Sequence, residues 1–90
     1  MLYAAKCYWP GFSERDVQQA AGRAEARGAI LLGTLVFPDD DLVLLLFQAS
    51  SAASARQACE YAGAPCERIM ASRWRGARQQ ERGPSCTGSD

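Results

Sequence analysis

The stretch "AILLGTLVFPDDDLVLLLFQ", residues 29–48, decides the fold. Its two apolar runs, residues 29–37 and 42–48, read as strands joined by a polar turn at Pro38 to Asp41, short enough for an antiparallel hairpin. Asp39, Asp40 and Asp41 solubilise that turn beside an aggregation-prone strand. A hard-cation site is the other reading of the three acids, but three neighbouring residues rarely point at one ion. On the first strand the alternating sets are Ile30, Leu32, Thr34 and Val36 against Leu31, Gly33, Leu35 and Phe37. On the second they are Leu42, Leu44 and Leu46 against Val43, Leu45 and Phe47, so both faces of the sheet are apolar.

The rest of the chain supplies a cover for one face. Residues 2–9, "LYAAKCYW", form a strand stopped by Pro10 and Gly11. A helix follows, with Ser13 as N-cap, Asp16 at the capping-box position, and Phe12 and Val17 at the spacing of a hydrophobic staple. Val17, Ala20, Ala21 and Ala24 then make a narrow inward stripe, and Gly28 ends the helix. In "SSAASARQACEYAGAP", Ala55, Ala58, Cys59 and Ala62 repeat the helical spacing, Ser50 or Ser51 caps, and Gly63 with Pro65 closes the element. "CERIMASR", residues 66–73, is the last strand, and "GARQQERGPSCTGSD" from Gly76 has no apolar period and is expected to be disordered. The division is therefore a domain over residues 1–75 and a tail over 76–90.

The resulting βαββαβ order is α+β and ferredoxin-like: a four-stranded antiparallel sheet with two helices on one face. Helices cover only that face. Left in water, about five large apolar side chains on the other would cost roughly 1.5–3 kcal/mol each. The sum, on the order of 10 kcal/mol, rivals the stability of a small domain. The bare face is expected to meet another sheet, most simply that of a second copy about a two-fold axis.

Composition narrows the function. With 90 residues, ten basic and ten acidic, the chain is one small domain with no net field to recruit nucleic acid or an acidic membrane. The third strand, "LVLLLFQ", lacks the basic and aromatic residues of RNA-binding sheets. The start "MLYAAKCYWPG" has no basic leader, and no apolar run approaches the roughly 20 residues of a span, so the expected location is cytoplasmic. Histidine is absent, which removes the commonest metal ligand and general base. The four cysteines, Cys7, Cys59, Cys66 and Cys86, include no C-x-x-C pair and do not suggest structural zinc.

The segments "YWPGFSERDV", "LVFPDDDLVLLLFQASS" and above all "ARQACEYAGAPCERIM" resemble a bacterial family of small ferredoxin-like proteins of unknown function that includes a nickel-binding member. The likeness spans roughly residues 1–73, with "AGAPCERI" its most specific motif. It implies a homodimer on the dimeric α+β-barrel plan. No metal ligands of the family match positions here.

Candidate site residues lie on the first strand. Tyr3, Cys7 and Trp9 share one face and could clamp a ligand in a pocket between sheet and helices, while Lys6 and Tyr8 on the opposite face are the polar alternatives. Ordinary core packing is the other reading of the aromatic pair. Lys6, if buried on a central strand, needs a partner. Among the thiols Cys7 is the first functional candidate and Cys66 the second; Cys59 belongs to a core stripe and Cys86 to the tail, where it could bridge to Cys66. The expected function is small-molecule binding by a homodimer, with cofactor-independent isomerase, cyclase or oxygenase-like turnover as the chemistry it could carry. The alternative is nickel or other divalent-metal binding without catalysis.

Overall fold

A computed structural model describes residues 1–24 and 28–76. Strand β1 runs over Leu2–Tyr8, helix α1 over Glu14–Ala24, β2 over Ile30–Phe37, β3 over Leu42–Gln48, α2 over Ala52–Ala62 and β4 over Cys66–Ser72. A single turn of 3-10 helix, Pro38–Asp40, joins β2 to β3. The strands form one sheet in the order β2-β3-β1-β4, each neighbouring pair antiparallel. This is the ferredoxin-like arrangement. No helix among the described residues is long and apolar enough to cross a membrane. Residues 77–90, with Cys86, the expected tail and its bridge to Cys66, lie outside the described residues.

The helix ends follow their local chemistry. At α1 the capping box closes reciprocally: the Asp16 amide donates to Ser13 Oγ at 3.1 Å and the Ser13 amide donates to Asp16 Oδ2 at 2.9 Å. Ser51, not Ser50, caps α2, accepting from the Ser54 amide at 3.1 Å. Gly63 takes φ 81° past the last turn, and the Ala64 amide reaches back to the Cys59 carbonyl at 3.3 Å, the Schellman closure for which a glycine is suited. Asp41 also sits in the left-handed region, at φ 51°, and its carbonyl accepts from the Trp9 amide at 2.6 Å. The third acid of the turn thus ties the end of β1 to the hairpin.

The core lies between the sheet and the helices. Tyr3, Ala5 and Cys7 of β1 and Val43, Leu45 and Phe47 of β3 meet Val17, Ala20 and Ala24 of α1 and Ala55, Ala58, Cys59 and Ala62 of α2. On β2 the simple alternation breaks. A bulge between Leu31 and Gly33 places Leu31 opposite Phe47, Thr34 opposite Leu45 and Val36 opposite Val43. Directly opposite residues share a face, so the inward set is Leu31, Thr34 and Val36, drawn from both expected sets. The outward set is Ile30, Leu35 and Phe37, beside Leu42, Leu44 and Leu46 of β3.

A second bulge, between Lys6 and Cys7 on the β1–β4 ladder, sets Cys7 opposite Cys66 and leaves Glu67 as the extra residue on β4. The Glu67 carboxylate lies 3.5 Å from Lys6 Nζ. The Lys6 side chain is 41% exposed, which corrects the expectation of a buried ammonium: the central strand turns it to the uncovered face.

Candidate functional site

The five residues expected from β1 divide as the pleat requires. Tyr3 and Cys7 are buried on the helix side, and Trp9, just past the strand, packs against the same core. Lys6 and Tyr8 project from the outer face, where Tyr8 is exposed. Tyr3 and Cys7 belong to the packed core, and none of the five lines the groove between α1 and β2.

That cavity lies between the first half of α1 and the inward side of β2. It is an open groove of about 440 Å3, with Phe12, Val17, Val36 and Pro38 as apolar walls and Glu14, Gln18 and Thr34 as polar ones. Its construction is traceable residue by residue. The capping box fixes the start of α1, which points Val17 inward and leaves Glu14 and Gln18 towards solvent. The β2 bulge brings Thr34 and Val36 to the inner face, and the 3-10 turn sets Pro38 at the groove's end. The staple spacing had already paired Phe12 with Val17 in the sequence, as helix packing rather than as a wall. Thr34 and Val36 carried no such signal, because their orientation depends on the bulge.

The thiols form a second constellation, under α2. Cys7 Sγ lies 3.8 Å from Cys59 Sγ, and both residues are fully buried. Cys66 is partly exposed and packs against the same core cluster, and its thiol donates to the Arg68 carbonyl at 3.7 Å. The hydrogen bond shared with Cys7, in which Cys59 keeps its proton, then burial, then the electrostatic effect of Cys7 hold the Cys59 thiol far above the usual thiol range. Burial first, then Cys59, push the Cys66 thiol up to about 11. Neither supplies a ready thiolate nucleophile at neutral pH.

The described residues hold no ready-made metal cluster. No group of three or more Cys, Asp or Glu among them is placed to hold an ion, and Cys66 turns its thiol to a backbone carbonyl. Asp39 and Asp40 stay exposed on the turn, while Asp41 serves it through its backbone.

No family model and no curated protein matches the chain. Among solved structures, the crystal structure of SCO4226 from Streptomyces coelicolor A3(2) is similar, with a TM-score of 0.68 and 12% sequence identity, over 84% of this chain and 100% of that one. At that identity the likeness shows the fold alone.

Proposed function

We propose that the protein is a homodimer that binds a small organic molecule in the groove between α1 and β2. The groove carries this reading: about 440 Å3 falls within the roughly 300–1,000 Å3 of small-molecule sites, and its walls pair an apolar bed with a few polar side chains that would orient a ligand. Glu14 is the one carboxylate of those walls, and Gln18 and Thr34 are the other polar groups that would orient a ligand beside it. The reading is therefore retention of a ligand first, with any isomerase, cyclase or oxygenase-like turnover leaning on Glu14 alone.

The dimer reading rests on the outer sheet face. Ile30 is 60% exposed, Leu35 50% and Phe37 39%, and they stand beside the half-buried Leu42, Leu44 and Leu46. The β1–β4 half of the same face carries Lys6 and Arg68. Two copies overlapped on their β2–β3 halves would bury the apolar half and leave these charges at the rim, the usual layout of an interface. Each half-covered side chain contributes about 1 kcal/mol when closed off, so two faces supply on the order of 10 kcal/mol against an association cost of about 4–15 kcal/mol. The groove lies on the helix side and stays open in such a dimer. The resemblance carried by "AGAPCERI" implies the same plan.

The test is an amide-shift titration of the labelled protein with a panel of small amphipathic molecules. A binder tighter than about 1 mM, roughly 4 kcal/mol, should shift amides of α1 and β2 around Val17 and Val36, and Val36→Trp should abolish it by filling the groove. Shifts confined to the outer face, or a binder indifferent to Val36→Trp, would remove the groove from the reading.

A further inference from the structure

The seam under α2 holds three thiols. Cys66 is partly exposed and packs against the core that holds Cys59, and the Cys7 and Cys59 sulfurs lie 3.8 Å apart with no solvent exposure. The ladder also sets Cys7 directly opposite Cys66, so all three belong to one corner of the fold. A disulfide needs sulfurs about 2.05 Å apart, and the Cys7 and Cys59 sulfurs already stand in van der Waals contact. Reorientation of two side chains would close the remaining gap.

We infer that Cys66, Cys59 and Cys7 form a thiol relay, in which oxidation by a hydroperoxide at Cys66 ends as a Cys7–Cys59 disulfide in the core. In the first step the Cys66 sulfur attacks a peroxide oxygen. The O–O bond breaks, an alcohol or water leaves with the thiol proton, and Cys66 becomes a sulfenic acid, its sulfur oxidised by two electrons. The Cys59 sulfur then attacks that of Cys66; the S–O bond breaks, and hydroxide departs as water with the Cys59 proton. Finally Cys7 gives up its proton and attacks Cys59, the Cys59–Cys66 bond breaks, and Cys66 leaves to be reprotonated. The sum is two thiols and one hydroperoxide giving one disulfide, one alcohol and one water.

Geometry directs the last step. Cys7 contacts Cys59, and attack there expels Cys66. Burial of Cys7 and Cys59 keeps the oxidant from reaching either directly. Raised thiols make the relay slow at neutral pH, so it records sustained exposure rather than turning over peroxide. This site is separate from the ligand groove and does not depend on it.

The experiment uses the full chain carrying Cys86→Ser, so that the tail thiol cannot compete. The reduced protein is exposed to excess hydrogen peroxide, quenched with an alkylating maleimide at intervals and mapped without reduction. The relay requires a loss of two hydrogens, a Cys7 peptide joined to a Cys59 peptide, and Cys66 alkylated. In a Cys66→Ser variant that bridge should form at least about tenfold more slowly. A Cys7→Ala variant should stop at the Cys59–Cys66 bridge, which also shows that the fold tolerates the oxidised intermediate. An undiminished rate in Cys66→Ser, a terminal Cys59–Cys66 bridge in the chain with Cys7 intact, or sulfinic acid at Cys66 with no bridge would each overturn the relay.

Discussion

The two helix–sheet seams of this molecule start from nearly the same helix face and end differently. Helix α1 offers Val17, Ala20 and Ala24 to the sheet, and α2 offers Ala55, Ala58, Cys59 and Ala62. Helix α2 packs on β1, β3 and β4 and closes over Cys7, whereas α1 packs on β2 and leaves a groove of about 440 Å3. The difference lies in the sheet. Strand β1 is central, so its inward residues have neighbours on both sides, while β2 is an edge strand whose Thr34 and Val36 are flanked by a strand on one side only. An alanine stripe over β1, flanked on both sides, closes into core; the same kind of stripe over β2, where the bulge sets Thr34 and Val36 inward, leaves a cleft.

The most severe way to break the comparison is to strike the strand that serves both seams. Leu45 of β3 is fully buried and lies opposite Thr34, while its neighbour Leu44 faces outward opposite Leu35. Leu45→Asp should abolish the cooperative unfolding transition, because a buried carboxylate without a partner costs several kcal/mol, comparable to the stability of a small domain. Leu44→Asp should leave a folded chain and, on the dimer reading, convert it from twice the chain mass to a monomer in light scattering at micromolar concentration. A Leu44→Asp chain that unfolds, with Leu45→Asp intact, would reverse the assignment of faces. A wild-type chain already monomeric at that concentration would end the dimer reading.

Between the seams themselves, the expected contrast is smaller. Ala58→Leu forces added bulk into the closed seam and should destabilise by about 1–3 kcal/mol in urea. Val36→Leu adds one methylene beside an open groove and should stay within about 0.5 kcal/mol, since the new atoms have room. Equal costs would mean that the groove is not open in solution.

How much of this was legible follows from the same contrast. Element order, the α1 cap and the closing glycine of α2 were readable because each rests on local chemistry, Ser13 with Asp16 and Gly63 after Ala62, while the sequence left the α2 cap open between Ser50 and Ser51 and the Ser54 amide selects Ser51. The doubly apolar sheet was readable from "LVLLLFQ", but which set faces the helices was not, since no polar residue in Leu42 to Phe47 marks the outer side. The β2 bulge left no mark that distinguishes Leu32 from its neighbours, and it moved Thr34 and Val36 to the groove. Large aromatics near a thiol suggest a pocket in the sequence; in the fold Tyr3 and Cys7 are buried in the core beneath the helices, and Trp9, just past the strand, packs against it. A groove is a distance between α1 and β2, and periodicity within either element does not encode it.

The smallest predicted effect is a titration that only the closed seam can show. The Cys66 thiol is raised from an ordinary 9.0 to about 11, by burial first and then by Cys59, with Arg56 opposing and Glu60 adding to the rise. In the unfolded chain the thiol would lose its proton near 9.0, while in the folded chain it keeps it until about 11. The folded state therefore binds more protons in that window, and the stabilisation, fully present below pH 9, declines as pH rises towards 11. A rise of this size corresponds to about 3 kcal/mol, which partial solvent exposure of the thiol reduces to on the order of 1 kcal/mol. The measurement is a difference: urea midpoints for the wild type and Cys66→Ser at pH 8, 9, 10 and 11. The two curves should converge as pH rises, by on the order of 1 kcal/mol. Val36→Leu, in the open seam, should run parallel to wild type throughout. Parallel curves for Cys66→Ser as well would show that the thiol is not held protonated by the seam.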